Sequence, residues 1–296
     1  MDILVTGGAG FIGSNFVHHL LRETEHQIHV LDLLTYAGDY ANLEPSFHID
    51  RLSFKKGDIR DESTVKEMMS TADVLVNFAA ESHVDRSIDT AEPFVSTNIG
   101  GTQTLLDIAV DTDIELFIQI STDEVYGEIE YGSFFEGARL GPRNPYAATK
   151  AGADLLAISY YQTYGLPVII TRTSNNFGPR QHREKLIPKL ITRASRGDRL
   201  PIYGDGTNVR EWTYVEDNCR GLNLVLNEGQ VGEVYNIGSG VELTNIEVAT
   251  KVVEAMDIDE SLINFVEDRP GHDQRYSLNS NKIRELGWEP QWSFDE

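Results

Sequence analysis

The chain has 296 residues and a formal net charge of −22 at pH 7, from 47 acidic and 25 basic side chains. That length suits one large α/β domain or one domain with an appended lobe. The acidic excess argues against nucleic acid and anionic membranes as partners, because both would repel the chain. No segment reaches the ~18 uninterrupted apolar residues of a membrane span.

The N-terminal run Met1-Asp-Ile-Leu-Val-Thr6 lacks the basic region and small-residue cleavage site of a signal peptide. The single cysteine, Cys219, excludes an intrachain disulfide and suits a reducing compartment. No Cys/His cluster has metal-ligand spacing, so no metal is expected. We expect a cytoplasmic protein. Its acidity fits a salty cytoplasm, where screening relieves self-repulsion, and the alternative is an ordinary acidic cytosolic protein.

The first half of the sequence alternates short apolar or β-branched runs with longer amphipathic stretches. This alternation is typical of a doubly wound parallel sheet. The predicted strands are residues 3–6, 28–32, 52–56, 74–78, 116–120 and 168–171, and predicted helices include residues 102–110 and 147–164.

A glycine-rich turn, Gly7-Gly-Ala-Gly-Phe-Ile-Gly13, directly follows the first predicted strand and opens a helix. Such glycines let backbone N–H groups approach a pyrophosphate at the helix N-terminus. Asp32 ends the next strand, where a carboxylate binds both ribose hydroxyls and repels a 2′-phosphate. The pattern predicts NAD rather than NADP, against the alternative that Asp32 only caps a turn. Asp58 and Ala79-Ala80 follow later strands, where they are placed to lie beside the adenine and the nicotinamide half of NAD.

Two carboxylates, Asp123 and Glu124, directly follow Ser121-Thr122 at the end of the fifth predicted strand. An elimination needs one group to remove a proton and another to protonate the leaving hydroxyl. Two adjacent acids can have widely separated pKa values, which leaves one of them protonated. The alternative is an acidic loop at a strand end.

Tyr146 and Lys150 lie four residues apart and therefore share one face of a predicted helix. A nearby ammonium and a positive nicotinamide both favour the phenolate of a tyrosine. The lysine can also hold the nicotinamide ribose, and Thr122 can share a hydrogen bond with a sugar hydroxyl. The alternative is a solvated helix face. With the glycine-rich turn, this set looks like the active site of extended short-chain dehydrogenases/reductases.

After about Thr173 the sequence changes to loops punctuated by Gly and Pro, with scattered basic and aromatic residues. This texture suggests a smaller lobe that closes over a substrate, and residues 214–226 look helical again. We predict a Rossmann-type NAD-binding domain from residues 1–172 plus about 208–235. Residues 173–207 plus 236–296 would form a discontinuous C-terminal substrate lobe.

Longer motifs make the chain closely similar to the dTDP-glucose 4,6-dehydratases over nearly its whole length. They are Asp32-Leu-Leu-Thr-Tyr-Ala-Gly38, Ala79-Ala-Glu-Ser-His-Val-Asp-Arg-Ser-Ile88, Asn175-Asn-Phe-Gly-Pro-Arg-Gln181, Pro201-Ile-Tyr-Gly-Asp-Gly206 and Arg269-Pro-Gly-His-Asp-Gln-Arg-Tyr276. The resemblance implies that Tyr146 is the base for C4 oxidation, Asp123 the acid at the C6 hydroxyl and Glu124 the base at C5. It also implies that hydride returns to C6, that NAD stays bound through turnover, and that the product is a 4-keto-6-deoxy sugar nucleotide.

The resemblance also implies two sets of binding residues. The NAD set is Gly7, Gly10, Phe11, Ile12, Gly13, Asp32, Leu33, Leu34, Thr35, Asp58, Ile59, Ala79, Ala80, Glu81, Thr97, Tyr146, Lys150 and Asn175. The substrate set is His83, Thr122, Asn175, Asn176, Lys185, Leu186, Pro201, Tyr203, Arg210, Asn245, Arg269, His272 and Tyr276. Within the second set, Lys185, Arg210 and Arg269 would hold the diphosphate, a role for which arginine is well suited.

Some residues depart from the family pattern: Phe177 stands for Tyr, Glu211 for Asp, and Ser277-Leu-Asn279 for Ala-Ile-Asp. The first two keep shape or charge, and the third removes a carboxylate near the substrate lobe. Related enzymes remain alternatives, namely a 4-epimerase, a UDP-glucuronate decarboxylase and a GDP-mannose 4,6-dehydratase. A non-catalytic NAD-binding regulator would not need the catalytic set. The family pattern also implies a homodimer through helices near residues 100–110 and 147–164.

Overall fold

The computed structural model describes residues 1–296, and its strands form one large and two small sheets. The strands are β1 (Asp2–Thr6), β2 (Gln27–Asp32), β3 (Leu52–Lys56), β4 (Val74–Asn77), β5 (Leu116–Thr122), β6 (Val168–Thr173), β7 (Asn175–Phe177), β8 (Leu200–Tyr203), β9 (Val209–Tyr214), β10 (Val234–Ile237), β11 (Glu242–Thr244) and β12 (Ile263–Val266).

The α-helices lie mostly between the strands of the large sheet. They are α1 (Phe11–Glu23), α2 (Glu62–Met69), α3 (Val84–Asp89), α4 (Glu92–Phe94), α5 (Thr102–Val110), α6 (Pro145–Tyr164), α7 (Leu186–Ala194), α8 (Val215–Glu228), α9 (Asn245–Ala255) and α10 (Asn281–Glu285). A π-helical segment, Val95–Gly101, joins α4 to α5. No helix combines the length and the apolar character needed to cross a bilayer.

The large sheet has seven parallel strands in the order β10-β6-β5-β4-β1-β2-β3. Side chains alternate between its faces, because successive residues of a strand point in opposite directions. Ile3 and Val5 join a core cluster that includes residues of α1 and α8, whereas Leu4 joins a second cluster with residues of α2, α5 and α6. Both faces are therefore covered, as a parallel sheet requires.

The strand order reverses direction at β1, which has β2 on one side and β4 on the other. In open α/β sheets, ligands bind at such a switch point, outside the carboxyl ends of the strands. The predicted Rossmann-type fold is confirmed, and each predicted strand is found within two residues of its expected ends. The fold thus collects the strand-end residues of the sequence motifs at one edge.

The smaller lobe is built on two short sheets, β11-β9-β7 and β8-β12. Its own apolar cluster includes Leu190 of α7, Trp212 of β9 and Val248 of α9. Phe177, one of the departures from the family pattern, packs in the same region with its ring centroid 4.9 Å from that of Phe294. The lobe therefore has a separate core beside the carboxyl edge of the large sheet.

The division into an NAD-binding domain and a substrate lobe remains a prediction. Strand pairing and core packing assign some segments to the other part than the one predicted. Strand β9 pairs with β7 and β11 of the smaller lobe, whereas the whole of β10 pairs with β6 of the large sheet. Ile283 and Trp288 also return to the core of the large sheet, at 0% and 3% exposure. Local composition does not reveal that these later segments pack against the large sheet, since their packing depends on which apolar face of the sheet is still uncovered.

Candidate active site

The carboxyl ends of β1 to β6 open into one cavity of about 440 Å³. Typical ligand pockets have volumes of about 300–1,000 Å³. Of the predicted NAD residues, only Leu34 does not line it. Of the predicted substrate residues, the lining includes Thr122, Asn175, Asn176, Lys185 and Leu186. The others lie outside it: His83, Pro201, Tyr203, Arg210, Asn245, Arg269, His272 and Tyr276.

The glycine-rich turn leaves no room for side chains where it meets the sheet. Gly7 has φ +68°, and a Cβ placed there would lie 2.6 Å from the backbone nitrogen of Ala79. A Cβ on Gly13 would lie 2.4 Å from the carbonyl oxygen of Gly7. Gly10 is the N-cap of α1, so the backbone of the turn leads directly to a helix N-terminus. This is a cradle for a pyrophosphate made of backbone alone.

Asp32 accepts hydrogen bonds from the backbone N–H groups of Ala9 at 2.9 Å and Leu34 at 2.8 Å. Burial raises the pKa of this carboxyl, and the two N–H groups act in the opposite direction. Leu34 is held at φ +56°, a conformation that side chains disfavour. Asp32 therefore does cap the local turn, and its position in the cavity also suits the ribose diol of NAD.

Arg60 lines the cavity beside Asp58, a contact that the sequence interpretation missed. Its guanidinium lies 2.6 Å from a carboxylate oxygen of Asp58 and donates to Ser96 at 2.8 Å. Hydrogen bonding to Arg60 lowers the pKa of Asp58. The only available signal was the position of Arg60, two residues after Asp58 at a strand end.

Tyr146 and Lys150 project from the first turns of α6, as predicted from their spacing. Lys150 donates to the carbonyl oxygen of Ile120 at 2.5 Å, and burial lowers its pKa to about 8. Burial and the neighbouring Glu124 raise the pKa of Tyr146, while the Thr122 hydroxyl acts in the opposite direction. The raised pKa favours the protonated phenol, and a further positive charge in the site would favour the phenolate.

Asp123 and Glu124 form the first turn of a 3₁₀ segment, Asp123–Tyr126, whose N-cap is Thr122. Asp123 is buried and accepts from the Thr122 hydroxyl at 3.1 Å, but its second oxygen has no partner. Burial, with Glu124 and Glu211 nearby, raises its pKa well above the usual value, so Asp123 is suited to act as an acid. Glu124 accepts from Asn144 at 3.0 Å.

The cations predicted for the diphosphate are held in three separate ways. Lys185 donates to the carbonyl oxygen of Ser82 at 2.8 Å, and burial lowers its pKa. Arg269 forms an ion pair with Asp85 at 3.0 Å. Arg210 donates to the carbonyl oxygen of Asp273 at 2.9 Å. Only the first of these cations lines the cavity.

Asp85 organises the substrate end of the site, and the sequence interpretation missed it. It accepts from Arg269 and, at 3.2 Å, from the hydroxyl of Tyr203. Burial would raise the pKa of Asp85, but the hydrogen bond and charge of Arg269 bring it below the usual value. One carboxylate on α3 thus holds two side chains of the smaller lobe.

Asn98 was also missed, because nothing in its sequence surroundings marks it. It lies in the π-helical segment and is almost fully buried. Its amide bonds to both backbone groups of Glu81, at 2.8 and 3.0 Å, and donates to the Thr149 hydroxyl at 2.9 Å. Asn98 therefore ties the end of β4 to the helix that carries Tyr146. No group of three or more His, Cys, Asp and Glu side chains is arranged to hold a metal ion.

Comparison with known proteins agrees with this geometry. The family described as GDP-mannose 4,6 dehydratase matches residues 4–296. A dTDP-glucose 4,6-dehydratase of an Actinoplanes species is 50% identical over 100% of this chain and 95% of its own length. The chain belongs to the dTDP-glucose 4,6-dehydratase family. The low-salt glycan biosynthesis protein Agl12 of Haloferax volcanii is 63% identical over 100% of the chain and 96% of that protein.

A solved dTDP-glucose 4,6-dehydratase, DesIV of Streptomyces venezuelae, was crystallised with NAD and dTDP bound. It matches with a TM-score of 0.98 and 53% identity, over 99% of this chain and 93% of that one. In the present dehydratase, the glycine cradle, the Asp32 carboxylate and the Tyr146–Lys150 pair fit the pyrophosphate, ribose and nicotinamide of NAD.

Proposed function

We propose that the protein converts dTDP-glucose to dTDP-4-keto-6-deoxyglucose, a hydro-lyase reaction, with Thr122, Asp123, Glu124, Tyr146 and Lys150 as its catalytic residues. The observation that carries the proposal is the pairing of unlike carboxyls. Asp123 is buried with an unpartnered oxygen, whereas Glu124 accepts a hydrogen bond at the cavity wall. An elimination needs such an acid and such a base side by side.

The first step is oxidation at C4, in which Tyr146 removes the proton of the 4-hydroxyl. Lys150, one helical turn away, supports the phenolate and holds the nicotinamide ribose. When bound, NAD would supply the hydride acceptor for C4, the hydride donor for C6 and a positive charge that favours the phenolate. Thr122 donates to Asp123 and lies beside the phenol, so it orients the sugar hydroxyl between them.

The second step is the elimination of water. The carboxylate of Glu124 takes the C5 proton, and the C5–H electron pair becomes the C5–C6 double bond. The C6 hydroxyl leaves with the proton of Asp123 as water. After hydride arrives at C6, Glu124 returns its proton to C5. Tyr146 then has one extra proton and Asp123 lacks one, and transfer along Thr122 restores both.

We further infer that Lys185, Arg210 and Arg269 bind the diphosphate and that the protein works as a cytoplasmic homodimer. Large apolar side chains are exposed along the segments expected to pair, with Val110 at 38%, Leu155 at 57% and Tyr164 at 60%. Light scattering at micromolar concentration tests the dimer, and a monomer mass would remove it. The two-part division into an NAD-binding and a substrate-binding region is likewise proposed.

The test is to incubate the purified protein with dTDP-glucose, without added cofactor, and follow the sugar nucleotide by mass spectrometry and NMR. Loss of one water to a 4-keto-6-deoxy product, suppressed in Glu124→Gln, supports the proposal. UDP-glucose run in parallel reports which base is preferred. An unchanged mass with substrate and NAD bound would remove the dehydratase and favour a 4-epimerase.

A further inference from the structure

Asn144 uses both ends of its side-chain amide. As the N-cap of α6, its carbonyl oxygen accepts from the backbone N–H of Ala147 at 2.8 Å. Its nitrogen donates to a carboxylate oxygen of Glu124 at 3.0 Å. The residue is 7% exposed, so its geometry is fixed by protein contacts rather than by water. One side chain therefore joins the helix that carries Tyr146 to the turn that carries Glu124.

The surroundings of Glu124 make this hydrogen bond consequential. The negative charge of Glu124 acts to raise the pKa of two neighbouring cations, the buried ammonium of Lys185 and the guanidinium of Arg269. A carboxylate on a flexible side chain would turn toward such cations and lose its basicity in an ion pair. The amide of Asn144 holds one oxygen without adding a positive charge. The other oxygen is left for a substrate proton.

We propose that Asn144 is the positioning residue that fixes Glu124 for removal of the C5 proton, an inference that rests on the proposed dehydratase function. It acts through Glu124 and does not itself touch the reacting atoms. It also sets the distance between the two bases, because Tyr146 is two residues further along the same helix. The competing explanation is that Asn144 is a helix cap and nothing more.

Serine separates these explanations, since Ser and Asn are about equally good N-caps. Asn144→Ser keeps the cap but removes the amide donor that reaches Glu124. Asn144→Asp keeps the cap and the shape, but presents an acceptor with negative charge to Glu124. A matched cap exchange is Asp61→Ser at the N-cap of α2, a helix none of whose residues lines the cavity; there Asp61 accepts from Ser63 at 3.0 Å.

The measurements follow the two steps separately in enzyme reconstituted with NAD. Stopped-flow absorbance of the reduced nicotinamide reports C4 oxidation, and incorporation of solvent deuterium at C5 reports the action of Glu124. We expect Asn144→Ser to oxidise C4 at the wild-type rate and to slow deuterium incorporation about tenfold, the effect of losing a hydrogen bond to a charged group. Reduced cofactor would then accumulate. Asn144→Asp should be slower still, and Asp61→Ser should match wild type.

Three outcomes would overturn the inference. If Asn144→Ser incorporates solvent deuterium at C5 at the wild-type rate, Asn144 is a helix cap and does not position Glu124. An equal slowing of both steps, together with a lower Tm than that of Asp61→Ser, would indicate a disturbed helix rather than a misplaced base. If the wild-type protein itself forms no dehydrated product, the proposed function fails first, and this result is distinct from the other two.

Discussion

The cofactor end and the substrate end of the active site are built differently. The cofactor end is made of backbone. Gly7 and Gly13 lie so close to other backbone atoms of the chain that a Cβ would not fit at either position. The substrate end is made of charged side chains from distant segments, tied by Asp85 to Arg269 and to Tyr203. A backbone cradle recognises the pyrophosphate without using any side chain. Side-chain ties can be exchanged singly, so this end is the one where substrate preference can change.

The largest effect is expected at the backbone end. Gly13→Ala forces the turn away from Gly7, and we expect NAD affinity to fall about 100-fold, the upper end of the ~1–3 kcal/mol that overpacking costs. NAD content of the folded, purified protein and titration after stripping measure this loss. Gly100→Ala is the control, because its Cβ would meet nothing closer than 4.0 Å. Wild-type NAD content in Gly13→Ala would show that the cradle tolerates a side chain.

At the side-chain end, Arg269→Ala should weaken dTDP binding about 30-fold, since losing a partly buried charged contact costs about 2 kcal/mol. NAD content should not change, because the two ends share no contact through Arg269. Calorimetric titration with dTDP measures the affinity. Arg199→Ala is the control, as Arg199 is exposed on the same lobe and donates to Asn264 at 3.0 Å. Equal loss of NAD and dTDP would show that the two ends cannot be separated.

Between the two ends, Asp123 is expected to lower the free energy of unfolding at neutral pH. Its folded pKa is raised above the usual 3.8, so the folded state binds the proton more tightly than the unfolded state. Its contribution to stability is complete below about pH 4 and is lost as pH rises through the folded pKa. Asp123→Asn should therefore be inactive and about 1 kcal/mol more stable at pH 7, within the range of stabilising substitutions. The difference should close towards pH 4.

Thermal melts of both proteins from pH 4 to 8 measure this difference. A constant gap across the range would mean that Asp123 does not titrate differently in the folded state.

The smallest effect is expected from salt on the whole chain. Screening weakens ion pairs such as Asp85–Arg269, but it also relieves repulsion within a chain of net charge −22. Because the 47 acidic side chains outnumber the 25 basic ones, we expect relief of repulsion to outweigh the weakening of ion pairs, and Tm to rise between dilute buffer and molar salt. A Tm no higher in molar salt would count against adaptation to a salty cytoplasm.

The same contrast decides how far the sequence could predict the site. Gly7, Gly13 and Asp32 lie within one strand–turn–helix–strand unit, so their spacing fixes their geometry. Tyr146 and Lys150 likewise share one helix. These positions were predicted, and the structure brings them together in the cavity.

The substrate end could not be assembled in the same way. Asp85 is 118 residues from Tyr203 and 184 residues from Arg269, and no periodicity relates such positions. The π-helical turn that holds Asn98 was equally invisible, because its sequence, Val95–Gly101, differs little from that of an ordinary helix start. For Asn144, the Asn-Pro pair indicates a cap, but the cap's second partner, Glu124, lies 20 residues earlier.

Ile283 and Trp288 follow the end of β6 by more than a hundred residues, yet they complete a core that includes Ile3 and Val5 of β1. Trp288 also donates to the carbonyl oxygen of Asp217 at 2.9 Å, which locks α8 in place. One apolar face of strands β1 to β6 therefore stays partly uncovered while more than a hundred further residues are synthesised. During that interval the nascent sheet presents a surface that chaperones and proteases recognise. A translation error near Ile283 would thus be detected as a failure of the large sheet, far away in sequence.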